Sequence, residues 1–320
     1  MQSPWARHLV SADLRQVAAG QDGWSLQYEQ LSPGALRAEL QLVQLPGVRL
    51  LFERHDRALR QQGRLGPDHY GFALALDAVG VDGVRFAGRT VRHDTLMMGR
   101  GDDIDLCTPP GLGLVALVVE RALLAPLWQQ LYGKPLARWL EHPVTADTTP
   151  VRAAGVRMLH LQTLARLLAE PALLHDTAQA LRLRDALLLE WIAAIPERVH
   201  AGEVDELAAR RRLVERATQC LLARPDAPPT LDELARALGV SARKLGYCFN
   251  QVLGLSPGRY LRMRRLNAAR AALLQADDPA LGVQDVAAGL GFWHFGQFAA
   301  DYRQHFGERP SDTLRAARLR

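Results

Sequence analysis

The chain has 320 residues, of which 48% are hydrophobic and 23% are charged, as in a globular protein long enough for two domains. It contains no run of about 18 uncharged apolar residues, and its first residues lack the apolar stretch of a signal peptide. We therefore expect no membrane partner and a cytoplasmic location. The net charge of +5 resides in residues 224–320, with 14 basic and 9 acidic residues, because residues 1–223 hold 25 of each. This asymmetry favours a polyanionic partner for the basic segment.

Residues 24–120 are predicted to be rich in β-strands. Short apolar or alternating runs are separated by turn signals such as Ser32–Gly34 and Pro46–Gly47. This spacing predicts an antiparallel sandwich or barrel. An apolar pocket inside it would accept a small molecule, although the same side chains also suit an ordinary sheet core. The aromatic candidates for ligand binding are Phe52, Tyr70, Phe72 and Phe86.

After Glu120 the apolar spacing becomes three and four residues, which predicts helices. The helices of residues 149–223 have broad apolar faces, and two interpretations stay open: they pack on the β-rich part, or they form a dimer seam. The proline-rich stretch Arg224–Pro229 marks a boundary. We predict three parts: a β-rich effector or dimerisation domain (1–148), a helical linker region (149–223) and an all-α domain (224–320).

The last part begins with a predicted helix-turn-helix. Thr230 is suited to cap a helix ending at Leu238, Gly239 gives the turn, and Ser241 caps a second helix. We expect the first helix to bury four apolar residues, namely Leu231, Leu234, Ala235 and Leu238. In this motif the second helix enters the major groove of DNA. Its exposed face is predicted to comprise Ala242, Arg243, Lys244, Gly246, Tyr247 and Asn250.

Arg243 has the planar fork that pairs with guanine, whereas Lys244 and Tyr247 suit phosphates.

The same arrangement recurs near the end of the chain. A helix from Val283 ends near Gly291, and a second is predicted over His294–Arg303. Four aromatic residues spaced three, four and four apart predict one buried stripe: Phe295, Phe298, Tyr302 and Phe306. The opposite face offers Gln297, an amide suited to adenine. The candidate DNA contacts of this motif are His294, Phe295, Gly296, Gln297, Ala300 and Arg303.

Pro257 begins a predicted helix of roughly 18 residues between the two motifs. At about 27 Å, such a rod would hold two recognition helices about one turn of DNA apart, ~34 Å. Its arginines are interpreted equally as phosphate contacts or as a solvated face, and Arg262 is our candidate DNA contact.

These motifs resemble the AraC/XylS-type transcriptional regulators. FNQVLGLSPGRYL, Phe249–Leu261, is similar to the first signature of that family, and the tail from Asp285 to Ser311 is similar to the second. The resemblance covers about 100 residues, from Glu215 to Leu314. LGYCF and GFWHFGQFAADY look most like the branch containing the ethanolamine-operon regulator.

The resemblance implies two helix-turn-helix motifs on consecutive major-groove segments, and a barrel-like (cupin-like) amino-terminal domain that binds an effector or dimerises. Carried over by position, the base-reading residues are Arg243, Gly246 and Tyr247 in the first motif and Phe295, Gly296, Gln297 and Ala300 in the second. Many members have arginine where this chain has Tyr247, and a polar residue in place of Ala300. These departures favour phosphate contacts and shape reading by the second motif.

We therefore predict an α+β transcriptional regulator, more often an activator by resemblance, that binds double-stranded promoter DNA. Its other predicted partners are a small-molecule effector, RNA polymerase and a second copy of the chain. We expect no cofactor, metal site or catalytic residue, because no H-x-H, nucleophile elbow or nucleotide loop occurs. Two alternatives stay open: an amino-terminal domain that only dimerises, and an enzyme or carrier with an accessory DNA-binding tail.

Overall fold

A computed structural model describes residues 4–21, 23–66, 68–77, 83–101, 103–136, 140, 143–196, 204–224, 227–276 and 281–319. The chain divides into two compact units. The first contains residues 1–28 and 37–204, and the second contains residues 29–36 and 205–320. Among the described residues, no helix has the length and apolarity needed to cross a lipid bilayer.

The first unit is built on two antiparallel sheets. Its strands are β1 Trp5–Ser11, β2 Ser25–Gln30, β3 Ala38–Leu45, β4 Val48–His55, β5 Leu59–Arg64, β6 His69–Ala75, β7 Arg85–Phe86, β8 Arg89–Thr90, β9 Thr95–Arg100, β10 Ile104–Thr108, β11 Gly113–Glu120 and β12 Val144–Asp147. One sheet has the order β1-β3-β4-β11-β6-β9-β12, and the other has the order β2-β5-β10-β7-β8. The predicted barrel-like α+β fold is therefore confirmed.

Alternation along the strands supplies both faces of the larger sheet. On β11, Val115, Leu117 and Val119 pack in a core shared with helices, whereas Leu114, Ala116 and Val118 line a cavity between the sheets. Successive side chains of a strand point to opposite faces, so one apolar strand serves two cores.

The helices of the first unit are α1 Leu14–Ala19, α2 Arg121–Tyr132, α3 Pro150–Ala169 and α4 Thr177–Ala193, with a short 3₁₀ helix at Pro171–His175. Trp128, Leu164 and Trp191 belong to the same buried cluster as Leu117 of the sheet. These contacts favour the interpretation in which the helices pack on the β-rich part. The two-unit division therefore differs from the predicted separate linker at 149–223, because α3 and α4 bury their apolar faces against strands.

The second unit contains α5 Val204–Leu222, α6 Leu231–Ala237, α7 Ala242–Leu253, α8 Pro257–Leu274, α9 Val283–Gly289, α10 Phe295–Phe306 and α11 Pro310–Arg318. The predicted boundary at Arg224–Pro229 lies partly outside the described residues. The helix predicted over His294–Arg303 begins one residue later and ends three residues later, at Phe306. Its aromatic periodicity continues to that residue, and Gly307 then closes it in the left-handed conformation, with φ 79°.

The short segment 29–36 belongs to the second unit because its polar groups bond to α8 and α10. The Asn267 side chain accepts from the Gln30 backbone N–H at 3.1 Å and donates to the Gln30 carbonyl at 2.9 Å. The Tyr260 hydroxyl donates to Glu29 at 3.0 Å, and Glu29 also pairs with Arg264. His305 Nε2 lies 3.1 Å from the Gln30 carbonyl. These bonds satisfy polar groups that are largely buried.

Candidate nucleic-acid interface

The first helix-turn-helix consists of α6 and α7. Thr230 and Glu233 form a reciprocal capping box at the start of α6, and the Ser241 side chain accepts from the Lys244 backbone N–H at 3.1 Å at the start of α7. Gly239, with φ 68°, provides the left-handed turn between them. The predicted caps and turn are thus confirmed, which fixes the direction in which α7 leaves the turn.

The packing of α6 and α7 differs from the prediction at one residue. Leu234, Ala235 and Leu238 are buried as expected, but Leu231 is 39% exposed. Leu231 is the first residue of α6, and a side chain at the first position has no preceding turn of helix beneath it. The hydrophobic contact of α6 with its neighbours therefore begins one turn later.

The exposed face of α7 carries the predicted polar residues. Arg243, Lys244, Tyr247 and Asn250 are exposed, whereas Ala242 and Gly246 are partly buried. The Arg210 guanidinium of α5 lies 5.1 Å from the centre of the Tyr247 ring, a cation–π distance that places a third positive charge beside this face. The helix presents a cationic and hydrogen-bonding surface at its amino-terminal half.

The second helix-turn-helix consists of α9 and α10, with Gly291 (φ 73°) in the turn. Phe298, Tyr302 and Phe306 are buried, and the ring centres of Phe298 and Tyr302 lie 5.7 Å apart. Phe295 is 37% exposed, so its predicted place in the buried stripe is wrong. As the first residue of α10, Phe295 lies at the end of the helix, where the opposing surface no longer covers it.

The exposed face of α10 is less charged than that of α7. His294, Phe295, Gly296, Gln297, Ala300 and Arg303 are all exposed. The Gln297 amide donates to Asp301 at 2.7 Å, and Arg262 of α8 pairs with the other oxygen of the same carboxylate. Two candidate DNA contacts are therefore held together by one acidic side chain.

Three other arginines of α8 have structural contacts. Arg264 pairs with Glu29, the Arg265 guanidinium lies 4.6 Å from the centre of the Phe292 ring, and Arg270 bonds Glu308 at 2.7 Å. Burial lowers the pKa of both Arg264 and Arg265. These three arginines serve the packing of α8, which neither of the predicted interpretations included.

One exposed aromatic residue was missed by the sequence reasoning. Trp293 is 65% exposed and lies just before α10, next to His294. A signal was present: Trp293 falls outside the three-and-four spacing of the buried stripe, which predicts exposure for a large apolar side chain. Its position adds a stacking or hydrogen-bonding indole to the end of the candidate surface.

A cavity lies between the two sheets of the first unit. Its empty volume is ≈ 550 Å³ including its opening to solvent, and it is lined mainly by apolar side chains. Of the predicted ligand-binding residues, Phe86 lines this cavity, and Phe72 borders it while also belonging to the core between the larger sheet and the helices. Phe52 and Tyr70 instead pack in the core between the larger sheet and the helices. Strand alternation explains the separation, because Leu51 and Glu53, on either side of Phe52, face the cavity.

The residues that the structure describes include no group of three or more histidine, cysteine or acidic side chains suited to a metal ion. The described cysteines are also free, and burial raises the pKa of Cys107 to about 12. A thiol with this pKa is a poor nucleophile at neutral pH.

Two helix-turn-helix motifs, each with an exposed second helix, give residues 231–306 the architecture of a double helix-turn-helix DNA-binding domain. Residues 234–316 match a family model described as a helix-turn-helix domain. A probable thc operon regulatory protein of Rhodococcus erythropolis is 41% identical over 108 residues, which are 34% of this chain and 32% of that protein. The XylDLEGF operon transcriptional activator 1 of Pseudomonas putida is 38% identical over 91 residues, 28% of each chain.

The chain thus spans about a third of the length of these curated relatives. Among solved structures, a probable AraC family transcriptional regulator from Rhodopseudomonas palustris is 33% identical, with a TM-score of 0.30, over 33% of this chain and 97% of that one. The sequence matches support the AraC family of DNA-binding transcription regulators for the carboxy-terminal domain. The two curated relatives are described as an operon regulatory protein and an operon transcriptional activator.

Proposed function

We propose that the chain is a sequence-specific transcriptional activator that binds promoter DNA in the cytoplasm and acts together with RNA polymerase. The Pseudomonas putida relative is an operon transcriptional activator, which supports the proposed sign of regulation. The nearer likeness to the ethanolamine-operon regulator branch stays part of this proposal, since it depends on LGYCF, GFWHFGQFAADY and, more loosely, GWSLQYEQLSPGALRAEL.

The observation that carries the proposal is the pair of recognition helices. In α7 and α10 the buried positions anchor the helix, and the exposed amino-terminal positions are free of protein cover. We place Arg243, Gly246 and Tyr247 of α7 and Phe295, Gly296, Gln297 and Ala300 of α10 at the base edges, and we assign most of the side-chain base reading to α7. Phosphate contacts are assigned to Ala242, Lys244, Asn250, Arg262, His294 and Arg303, either through side chains or through backbone N–H groups near the helix ends.

Two glycines support a close approach by a partner. A Cβ atom built on Gly246 or Gly296 would meet no protein atom within 4 Å. Glycine inside a helix costs roughly 0.5–1 kcal/mol relative to alanine, and nothing within the described chain requires it there. A DNA groove wall that lies close to both helices would explain why these two positions carry no side chain.

For the amino-terminal unit we propose an effector-binding role, with the cavity between the sheets as the site. Leu26 and Tyr28 of β2 line that cavity, and the next two residues of the same strand, Glu29 and Gln30, belong to the second unit. A ligand that moves β2 would act on α8 through these residues. A second copy of the chain would double the number of groove segments that are read and raise affinity through effective concentration.

The proposed DNA binding is tested with the purified full chain. Genomic fragments that the protein retains at moderate salt are sequenced, and affinity is then measured for a retained duplex and for a scrambled one. Specific complexes are typically 10³–10⁷ times tighter than non-specific ones, so we expect a clear preference for the retained sequence.

Arg315→Ala provides a matched control, because Arg315 is an exposed arginine outside both recognition helices. A chain that retains no preferred sequence, or whose preference is equally reduced by Arg315→Ala and Arg243→Ala, would contradict the assignment of the recognition surface. A reporter placed behind the retained sequence then measures activation, and repression there would reverse the proposed sign.

A further inference from the structure

The cavity between the sheets is apolar except at one end, where four polar side chains meet. Gln21 donates to the Tyr28 hydroxyl at 2.6 Å, and Tyr28 in turn lies 3.4 Å from Glu53 Oε2. Gln61 donates to the same Glu53 oxygen at 3.2 Å. Gln21, Tyr28, Glu53 and Gln61 all line the cavity. A buried polar cluster of this kind gives an otherwise apolar site its specificity.

Two oxygen atoms of this cluster are left without a donor. Glu53 is 1% exposed and Gln21 is also 1% exposed, yet Glu53 Oε1 and Gln21 Oε1 have no hydrogen-bond partner among the described residues. Most buried polar atoms in proteins are hydrogen-bonded, and an unsatisfied one costs about 1–3 kcal/mol. Two unsatisfied acceptors on one cavity therefore indicate a ligand that brings donors.

The neighbouring His55 ring cannot supply a donor to Glu53 Oε1. His55 Nε2 lies 3.6 Å from Glu53 Oε1, which is too long for a hydrogen bond. His55 Nδ1 lies 3.1 Å from the Arg57 carbonyl and must carry the ring proton to donate there. Burial lowers the pKa of His55 to about 4, so Nε2 is an unprotonated acceptor at neutral pH. Glu53 Oε1 thus receives no hydrogen bond from His55.

The charge of the lining also restricts the ligand. No lysine, arginine or histidine is among the described residues that line the cavity, and Glu53 is its one described acidic side chain. Desolvation raises the pKa of Glu53 to about 7, so the carboxyl group is poised between its neutral and ionised forms. An anionic ligand would be buried beside a carboxyl group without a countercharge, which is strongly unfavourable.

The size of the ligand follows from the space available. The volume open to the centre of a water molecule is ≈ 70 Å³, whereas one water needs roughly 10–15 Å³ on this measure. The cavity therefore has room for about five to seven water-sized groups, so a six-membered ring fits only if its short substituent extends toward the opening to solvent.

We propose that the effector is a small, largely apolar molecule bearing a hydroxyl or amino group, that this group donates to Glu53, with an amino group having a further hydrogen for Gln21, and that Glu53 excludes carboxylates. This inference rests on the effector-binding role proposed above and adds the chemical class of the ligand. Alcohols and amines both provide a hydrogen-bond donor on an apolar molecule, and the experiment below distinguishes between these two classes of compound.

The test uses four compounds on one scaffold: benzyl alcohol, benzylamine, toluene and benzoate. Their affinities for the full chain are measured by calorimetry at about pH 7, together with the change in unfolding temperature. We expect at least one of the two donor-bearing compounds to bind about tenfold or more tightly than toluene, and benzoate to be the weakest. Comparison of the alcohol with the amine identifies which source the site prefers.

Two variants of Glu53 separate the role of charge from that of hydrogen bonding. Glu53→Gln retains an acceptor, so we expect it to weaken benzylamine about tenfold and to change benzyl alcohol by less than about threefold. Glu53→Leu removes the acceptor and should reduce both compounds to the level of toluene. Glu39→Gln on the neighbouring strand β3 is the matched control, since Glu39 bonds His8 and Gln41 and does not line the cavity.

The outcomes distinguish this inference from the proposed function. Tightest binding of benzoate, no binding of any compound at about 1 mM, or unchanged affinities in both Glu53 variants would overturn the ligand class. If benzoate binds and alters DNA binding, the inference fails but the effector role stands. If benzyl alcohol or benzylamine binds through Glu53 yet leaves DNA binding unchanged, the inference holds and the effector role fails.

Discussion

The two recognition helices, α7 and α10, each have 12 residues and bury the same four positions. Leu245, Phe249, Val252 and Leu253 occupy them in α7, and Phe298, Tyr302, His305 and Phe306 occupy them in α10. The exposed positions differ much more. Where α7 has Arg243, Lys244 and Tyr247, α10 has Gly296, Gln297 and Ala300.

This difference shows that the exposed residues of a recognition helix can change while its buried packing positions stay the same. The buried positions keep an apolar spacing that any such helix needs, whereas the exposed positions respond only to the partner. We therefore expect α7 to discriminate between bases and α10 to contribute mainly shape and phosphate contacts. The following predictions test this comparison, from the largest expected effect to the smallest.

Phe298→Ala should destabilise the second motif by ~3–5 kcal/mol, because it removes a buried ring and leaves a cavity. Phe298 is 1% exposed and its ring centre lies 4.8 Å from that of Phe292. The free energy of unfolding is measured by urea titration of the full chain.

Phe295→Ala is the matched control, since Phe295 lies one helical turn away and is 37% exposed. We expect its effect on stability to be within about 1 kcal/mol, with a loss in DNA affinity instead. Equal destabilisation by both variants would mean that Phe295 belongs to the buried stripe after all.

Arg243→Ala should cost ~1–3 kcal/mol in binding to the preferred duplex and should relax the base preference at particular positions. Gln297→Ala should cost less, because Gln297 already bonds Asp301 at 2.7 Å and gains less from a base. Affinities are measured for each variant against duplexes with single base changes. A uniform loss on every duplex would make Arg243 a phosphate contact, and a larger loss for Gln297→Ala would reverse the assignment of the two helices.

The sequence predicted the scaffold better than the surface. Caps at Thr230 and Ser241, the glycine turns and the apolar spacing follow from local rules, and the structure contains them. The bonds of Asn267 and Tyr260 to residues 29 and 30 could not be predicted, because they join positions more than 200 residues apart. Glu53 was missed for a similar reason, since strand alternation does not show which polar side chains meet inside a cavity.

Gly246→Ala should raise stability and lower DNA affinity, two effects of opposite sign. A Cβ at this position meets no protein atom within 4 Å, so alanine should stabilise α7 by about 0.5–1 kcal/mol. The methyl group would face the groove wall and weaken binding to any duplex that α7 approaches closely. Gly258→Ala is the control, because Gly258 in α8 is equally unobstructed but lies outside both recognition helices. Unchanged affinity in Gly246→Ala would show that α7 stays further from the groove.

The smallest expected effect is the pH dependence of stability that arises from His305. His305 is buried in α10 at the position that Val252 occupies in α7. Burial lowers the pKa of His305, and the positive charges of Arg270 and Arg259 lower it further, although its bond to the Gln30 carbonyl opposes them. The unfolded chain therefore binds the proton more readily than the folded chain. Stability contributed by neutral His305 is present above about pH 6.5 and is lost as the pH falls toward the lowered value.

His305→Gln isolates this contribution from that of the other histidines, since glutamine keeps a donor for the Gln30 carbonyl but does not titrate. Urea midpoints of the two proteins are compared at about pH 7.5 and about pH 5.5. We expect acidification to lower the midpoint of the parent chain more than that of the variant. If the urea midpoints of the parent chain and of His305→Gln fall equally, the acid sensitivity arises from other residues. His305 would then make no pH-dependent contribution to the stability of the second motif.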